Sequence, residues 1–216
     1  MIITTAKPFE EILENLKSYT RIFVVGCGAC ATKCQTGDEE ALKKAVTALE
    51  AAGKTVTGSL VIDTACDMRL AKRDIAKSAQ ANDAEVILML ACGAGTQAVG
   101  TVVDKPVSPG LNPVFVGTTE RIGVYRQFCS VCGDCMLDTT AGICPVSRCS
   151  KGLVNGPCGG VIEGKCEVDN TRDCAWALIY ERQKKRGKDV DALTRYIAPR
   201  NVHKPKEIIK AKGPAQ

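Results

Sequence analysis

The sequence has a single histidine, His203, and that scarcity removes whole classes of chemistry. Sites that need two or more imidazole ligands are excluded. So is a buried Ser-His-Asp relay, because His203 sits in a basic stretch between Val202 and Lys204. Aromatic residues make up only 4% of the chain, too few for the stacking platforms that hold single-stranded nucleic acid. There is no RNA- or DNA-binding signature. The net charge of +5, with Lys and Arg crowded after Glu181, therefore reads as a solvated face or a docking arm, and nucleic acid is not an expected partner. No apolar run nears the roughly 20 residues that cross a bilayer. The longest, residues 86–92, suits a buried strand, so a membrane is not expected either. The opening Met-Ile-Ile-Thr-Thr-Ala-Lys-Pro lacks a basic region followed by an apolar core, which makes the cytoplasm the expected location.

What the chain has in quantity is sulfur: 13 cysteines in 216 residues. In a reducing compartment, clustered thiols bind metal more often than they pair, and an odd count argues further against a full set of disulfides. Eight of the 13 fall between Cys129 and Cys174. That segment opens Cys129-Ser-Val-Cys132-Gly-Asp-Cys135, a CxxCxxC run, and reaches Cys144-Pro145 after eight intervening residues. Short spacers of this kind let three sulfurs converge on one side of a loop around a [4Fe–4S] cluster. The segment is mostly Gly, Asp, Thr, Ser and Cys, so an ordinary apolar core cannot hold it.

Before this segment the pattern is regular. Helical spacing of Phe9, Ile12, Leu13 and Leu16 predicts a helix over residues 8–19, with Pro8 in its first turn. Residues 21–26 form an apolar, β-branched run that predicts a strand buried on both faces. Asp38 caps a second expected helix, with Leu42, Ala45, Val46 and Leu49 on one side and Gly53 at its end. Further strands are expected over 55–64, 85–91 and 113–117, with helices over 68–79 and 96–103. Alternation of strand and helix predicts an α/β fold with a doubly wound parallel sheet in residues 1–122. An irregular cysteine-rich metal-binding module follows in 123–185, carrying a last helix over 174–185. Residues 186–216 read as a basic helix end and tail, extended from Pro199 onward.

Cys27, Cys66 and Cys92 each fall at or just past the carboxyl end of an expected strand, the edge where open α/β sheets place ligands. Cys27, Cys30 and Cys34 form CxxCxxxC, three ligands of a cubane that needs a fourth from Cys66 or Cys92. Cys92 is preferred, because the first and third of these strands are neighbours in the commonest sheet orders and Gly93 and Gly95 admit close backbone approach. Cys66 is then the spare. Cys129, Cys132 and Cys135 belong together, with Cys144 or a later cysteine as fourth ligand. Cys149, Cys158, Cys166 and Cys174 make the remaining set. Two tight CxxC pairs usually mark a Cys₄ zinc site, and this last set has none, which favours iron–sulfur there with zinc as the rival. Two or three [4Fe–4S] clusters result. Lys33, Arg148 and Lys151 are placed to stabilise reduced, more negative clusters, while each taken singly reads as an ordinary surface cation.

The segment from Cys149 through Gly-Pro-Cys158-Gly-Gly and Cys166-Glu-Val to Cys174-Ala-Trp176 and Ile179-Tyr180-Glu181-Arg182 resembles the methylenetetrahydrofolate reductase C-terminal-like domain. Gly-Cys27-Gly-Ala-Cys30-Ala-Thr-Lys-Cys34-Gln-Thr-Gly is similar to the other half of the small iron–sulfur subunit in acetogen-type methylenetetrahydrofolate reductase. The resemblance implies a non-catalytic subunit of an oxidoreductase complex. Its partner would be a separate flavin-containing catalytic subunit of the acetyl-CoA pathway, alongside other redox subunits. Some family members bind zinc in the C-terminal domain, which implies the alternative of a structural assembly subunit. An independent enzyme with a site-differentiated cluster is the third reading.

Overall fold

The computed structural model describes residues 1–194, and the expected tail with His203 lies outside the described residues. The chain runs through β1 (Ile2–Ala6), α1 (Phe9–Asn15), β2 (Arg21–Cys27), α2 (Cys30–Lys33), α3 (Glu39–Ala51) and β3 (Thr55–Ile62). Then come α4 (Met68–Ala76), α5 (Ala79–Asp83), β4 (Val86–Leu90), α6 (Gly93–Val102), β5 (Val107–Pro109), β6 (Leu111–Arg121) and β7 (Val124–Cys129). After a long irregular stretch follow α7 (Pro145–Arg148), α8 (Ala175–Lys185) and a 3-10 turn at Asp191–Thr194. Two compact units divide the chain, Met1–Arg126 and a second beginning at Gln127.

The first unit is α/β, with a four-stranded parallel sheet in the order β3-β2-β4-β5. Its centre is apolar on both faces. In β2, Ile22, Phe23, Val24 and Val25 are fully buried, and every residue of β4 is buried. That is the pattern of a strand covered by helices on each side. Asp38 caps α3 by accepting from the Ala41 N–H at 2.8 Å, and Leu42 and Leu49 turn inward. Gly53 follows the helix with a φ of 78°, the left-handed position that suits glycine.

The order β3-β2-β4-β5 has one reversal. From β2 the chain moves outward to β3, then crosses back to β4 and on to β5. Right-handed crossovers carry α3 over one face and α4 to α6 over the other, and α4 packs on α6 accordingly. The reversal places a topological switch point between the carboxyl ends of β2 and β4, the usual ligand crevice of such sheets.

Two expectations need correction. The strand expected over 113–117 is part of β6, which lies in a second sheet of order β1-β6-β7 and pairs antiparallel with β1. The fourth parallel strand is instead the three-residue β5. The helix expected over 68–79 is two helices, α4 and α5, parted at Lys77-Ser78.

The second unit has little apolar interior. Its buried cluster is Ile143, Cys174, Trp176 and Ile179. Polar contacts supplement it. The Arg182 and Arg186 guanidiniums donate to the Ala141 carbonyl, and the Gln183 amide donates to the Thr139 carbonyl at 3.0 Å, tying the 139–141 loop to α8.

Candidate functional site

All 13 cysteines are unbridged thiols. In the first unit the sheet register brings three of them to one edge. Cys27 is the last residue of β2 and pairs with Ile62, the end of β3, while Gly26 pairs with Leu90, the end of β4. Cys92 lies two residues past Leu90 and is the N-cap of α6, where its side chain caps no N–H. Cys66 ends the turn that follows β3, and Asp67 next to it caps α4 by accepting from the Arg69 N–H at 2.9 Å. The Arg69 guanidinium and that N–H hold the Asp67 carboxyl down at about 2, so the cap stays ionised at neutral pH.

The loops at this edge are pressed together. The Gly28 N–H donates to the Ile62 carbonyl at 2.8 Å, and the Cys27 N–H donates to the Gly37 carbonyl at 3.0 Å. A Cβ on Gly28 would lie 3.1 Å from the Asp63 carbonyl oxygen, and one on Gly95 would lie 3.2 Å from the Cβ atoms of both Ala65 and Ala91. The 28–31 loop, the 63–66 turn and the start of α6 thus share one crevice. Partial burial pushes the Cys66 thiol above its ordinary value, and the neighbouring thiols of Cys92, Cys27 and Cys30 push it further. Cys34 has a different setting. Its residue is buried, and its Sγ lies 3.8 Å from the Ile2 carbonyl of β1 as a hydrogen-bond donor.

In the second unit, Cys129 ends β7 and begins the CxxCxxC loop. The Val131 N–H donates to the Cys129 sulfur at 3.3 Å. Holding it there puts Val131 at a φ of 52°, left-handed backbone that a β-branched residue rarely adopts. Gly133, at a φ of 86°, completes the turn, and Cys144 stands at the N-cap of α7 with Pro145 behind it. Relief of the strain at Val131 outweighs the entropy of a new glycine. Val131→Gly is therefore expected to raise stability by about 1 kcal/mol, read as a higher calorimetric Tm of the intact chain. A lowered Tm would mean that the exposed Val131 side chain contributes packing.

Cys149, Cys158, Cys166 and Cys174 line one cavity of ≈ 20 Å³, with Arg148, Lys151 and Arg172 around it. Short backbone bonds set two of the four. The Cys166 N–H donates to the Arg172 carbonyl at 3.0 Å and the Cys174 N–H to the Gly164 carbonyl at 2.7 Å, so both cysteines sit on one small ladder. The Trp176 indole N–H donates to the Leu153 carbonyl at 2.9 Å, drawing the 149–158 loop onto α8. The Ser150 hydroxyl lies 3.5 Å from the Cys166 sulfur. That contact, then the N–H groups of Val168 and Asp169 and the Arg172 charge, holds the Cys166 thiol below its ordinary value. Lys151 is ion-paired with Glu167, so its charge is partly answered within the unit. Among the described residues, no three His, Cys, Asp or Glu side chains already stand in the arrangement of a single-ion site.

Residues 108–203 match the family of the methylene-tetrahydrofolate reductase C terminal. The match relates the second unit and the strands leading into it to methylenetetrahydrofolate reductase, and it leaves most of the parallel-sheet unit outside. No curated protein and no solved structure matches the chain significantly. No helix among the described residues is long and apolar enough to cross a membrane.

Proposed function

We propose that the chain is an iron–sulfur subunit that passes electrons to a separate flavin-containing methylenetetrahydrofolate reductase catalytic subunit in the cytoplasm. The observation that carries this reading is the gathering of thiols at the switch point of a parallel sheet, joined in one chain to a unit of the reductase C-terminal family. Thiolates at such an edge suit [4Fe–4S] clusters, which supply one-electron transfer when bound. One cluster belongs to the first unit. A second belongs to Cys129, Cys132, Cys135 and Cys144, where an N–H already meets sulfur. Further redox subunits would complete the relay.

The last set, Cys149, Cys158, Cys166 and Cys174, lines one cavity and is the third candidate centre. Zinc is the rival of iron–sulfur there, and a Cys₄ zinc ion that drew the four thiolates together would contribute folding energy. This is the feature that a purely structural, tethering subunit would share.

Anaerobic isolation tests the two readings together. About eight irons, as two cubanes, are expected per chain, with about four more irons or about one zinc at the last set. The dithionite-reduced chain should then reduce the flavin of a methylenetetrahydrofolate reductase catalytic subunit in a stopped-flow trace at the flavin absorbance. A colourless chain holding zinc alone would overturn the electron-transfer role and leave the tethering one.

A further inference from the structure

We propose that the metal centre of the first unit is made by Cys27, Cys30, Cys66 and Cys92, with Cys34 outside it as a structural thiol. The inference rests on the iron–sulfur reading above and specifies the ligands of that centre. Spacing along the chain favours Cys34, since CxxCxxxC is the denser motif. The geometry favours Cys66.

Three adjacent strands, β3, β2 and β4, end at the same level, as the pairings Cys27 with Ile62 and Gly26 with Leu90 require. Each is followed within four residues by one of the proposed ligands or carries it as its last residue. The turn bearing Cys66 is held against α6 at Gly95 and against the Cys27 loop at Gly28, so it cannot swing away from the crevice. Beside Cys92 there is room, because a Cβ on Gly93 would meet nothing nearer than the Pro113 Cγ at 4.0 Å. The amino ends of α4 and α6 both open at this edge, and their partial positive charge offsets the negative charge of a thiolate-bound cluster.

Cys34 stands one helical turn from Cys30, yet it is buried and bonded to β1. Its sulfur reaches the β1 backbone at Ile2, and the hydroxyl of Thr36 just beyond meets that of Thr4 at 2.8 Å. Both contacts fasten the loop to β1, and the Cys34 thiol is engaged in one of them.

Thiol labelling of the full chain tests the assignment without relying on turnover. The chain is isolated anaerobically, and a portion is stripped of metal with chelator and oxidant and re-reduced. Both forms are pulsed with N-ethylmaleimide and read by peptide mass spectrometry. Cys66, exposed in the structure, is expected to label roughly ten-fold more slowly in the metal-loaded form, because a ligated thiolate is no longer a free nucleophile. Cys34 is expected to label slowly and equally in both. Cys66→Ser should lose about four irons per chain and Cys34→Ser none. Equal labelling of Cys66 in the two forms would overturn the ligand set even if the chain holds iron. Protection of Cys66 by zinc alone would keep the ligand set and overturn the electron-transfer role. Should either variant fail to fold by circular dichroism, the labelling of the unaltered chain decides.

Discussion

Cys158→Ser is expected to unfold the second unit, although Cys158 is an exposed residue. An exposed substitution elsewhere usually changes stability by less than about 0.5 kcal/mol, so the size of the effect is diagnostic. The reason lies in what else holds the unit. Four buried residues, Ile143, Cys174, Trp176 and Ile179, form its apolar cluster, against roughly 1–2 kcal/mol of backbone entropy for every residue ordered. The proposed Cys₄ metal would contribute on the order of 10–16 kcal/mol, and losing one ligand in four would forfeit most of it. Trp176, the only tryptophan of the sequence, reports the outcome from inside the cluster. Its emission should shift to the red in Cys158→Ser, and a chelator should produce the same shift in the unaltered chain. A blue, unshifted emission from a metal-depleted chain would show that the unit stands without its metal.

The second large effect is steric. Gly37→Ala is expected to cost about 3 kcal/mol in the first unit, the upper end for overpacking a core. The new Cβ would lie 2.4 Å from the Leu90 carbonyl oxygen and 2.6 Å from the Ala31 Cβ. Leu90 is a central-strand backbone position that cannot give way. The loop carrying Cys30 must lift instead, and the Cys27 N–H then loses its bond to the Gly37 carbonyl. Thermal denaturation should fall by roughly 10 °C, with loss of iron from this unit. Gly53→Ala is the control. Gly53 has a φ of 78° and open space around it, so it should cost only about 1 kcal/mol of backbone strain and leave the iron in place. A Gly37→Ala chain as stable as Gly53→Ala would mean that the 28–38 loop is not clamped to the sheet.

Much of the parallel sheet was legible because its central strands are extreme. The run Arg21–Cys27 and the run Val86–Leu90 have no polar face to confuse the period. The helix after Asp38 carries its own start and stop. The second sheet was not legible, since Ile2–Ala6 is half polar and Leu111–Arg121 is mostly exposed and contains Pro113. Three-residue β5 falls below any periodic signal. For the thiols, sequence spacing placed Cys27, Cys66 and Cys92 at the carboxyl edge of the sheet, where β2, β3 and β4 end. Where Cys66 points depends on how the 63–66 turn folds onto Gly95, and where Cys34 points depends on β1. Both are contacts between segments far apart in the chain. In the second unit, spacing grouped Cys149, Cys158, Cys166 and Cys174, while the cavity they line with Trp176 and Arg172 depends on contacts between distant loops.

The bonds from β1 to the Cys34–Thr36 segment make the amino-terminal strand a tether for the sulfur-bearing loop. Anything that peels that strand from β6, such as a protease cut near Lys7 or a bulky fusion ahead of Met1, would slacken the grip on Cys30 from the far side of the sheet edge. A centre held in this way would be lost before the parallel sheet melts.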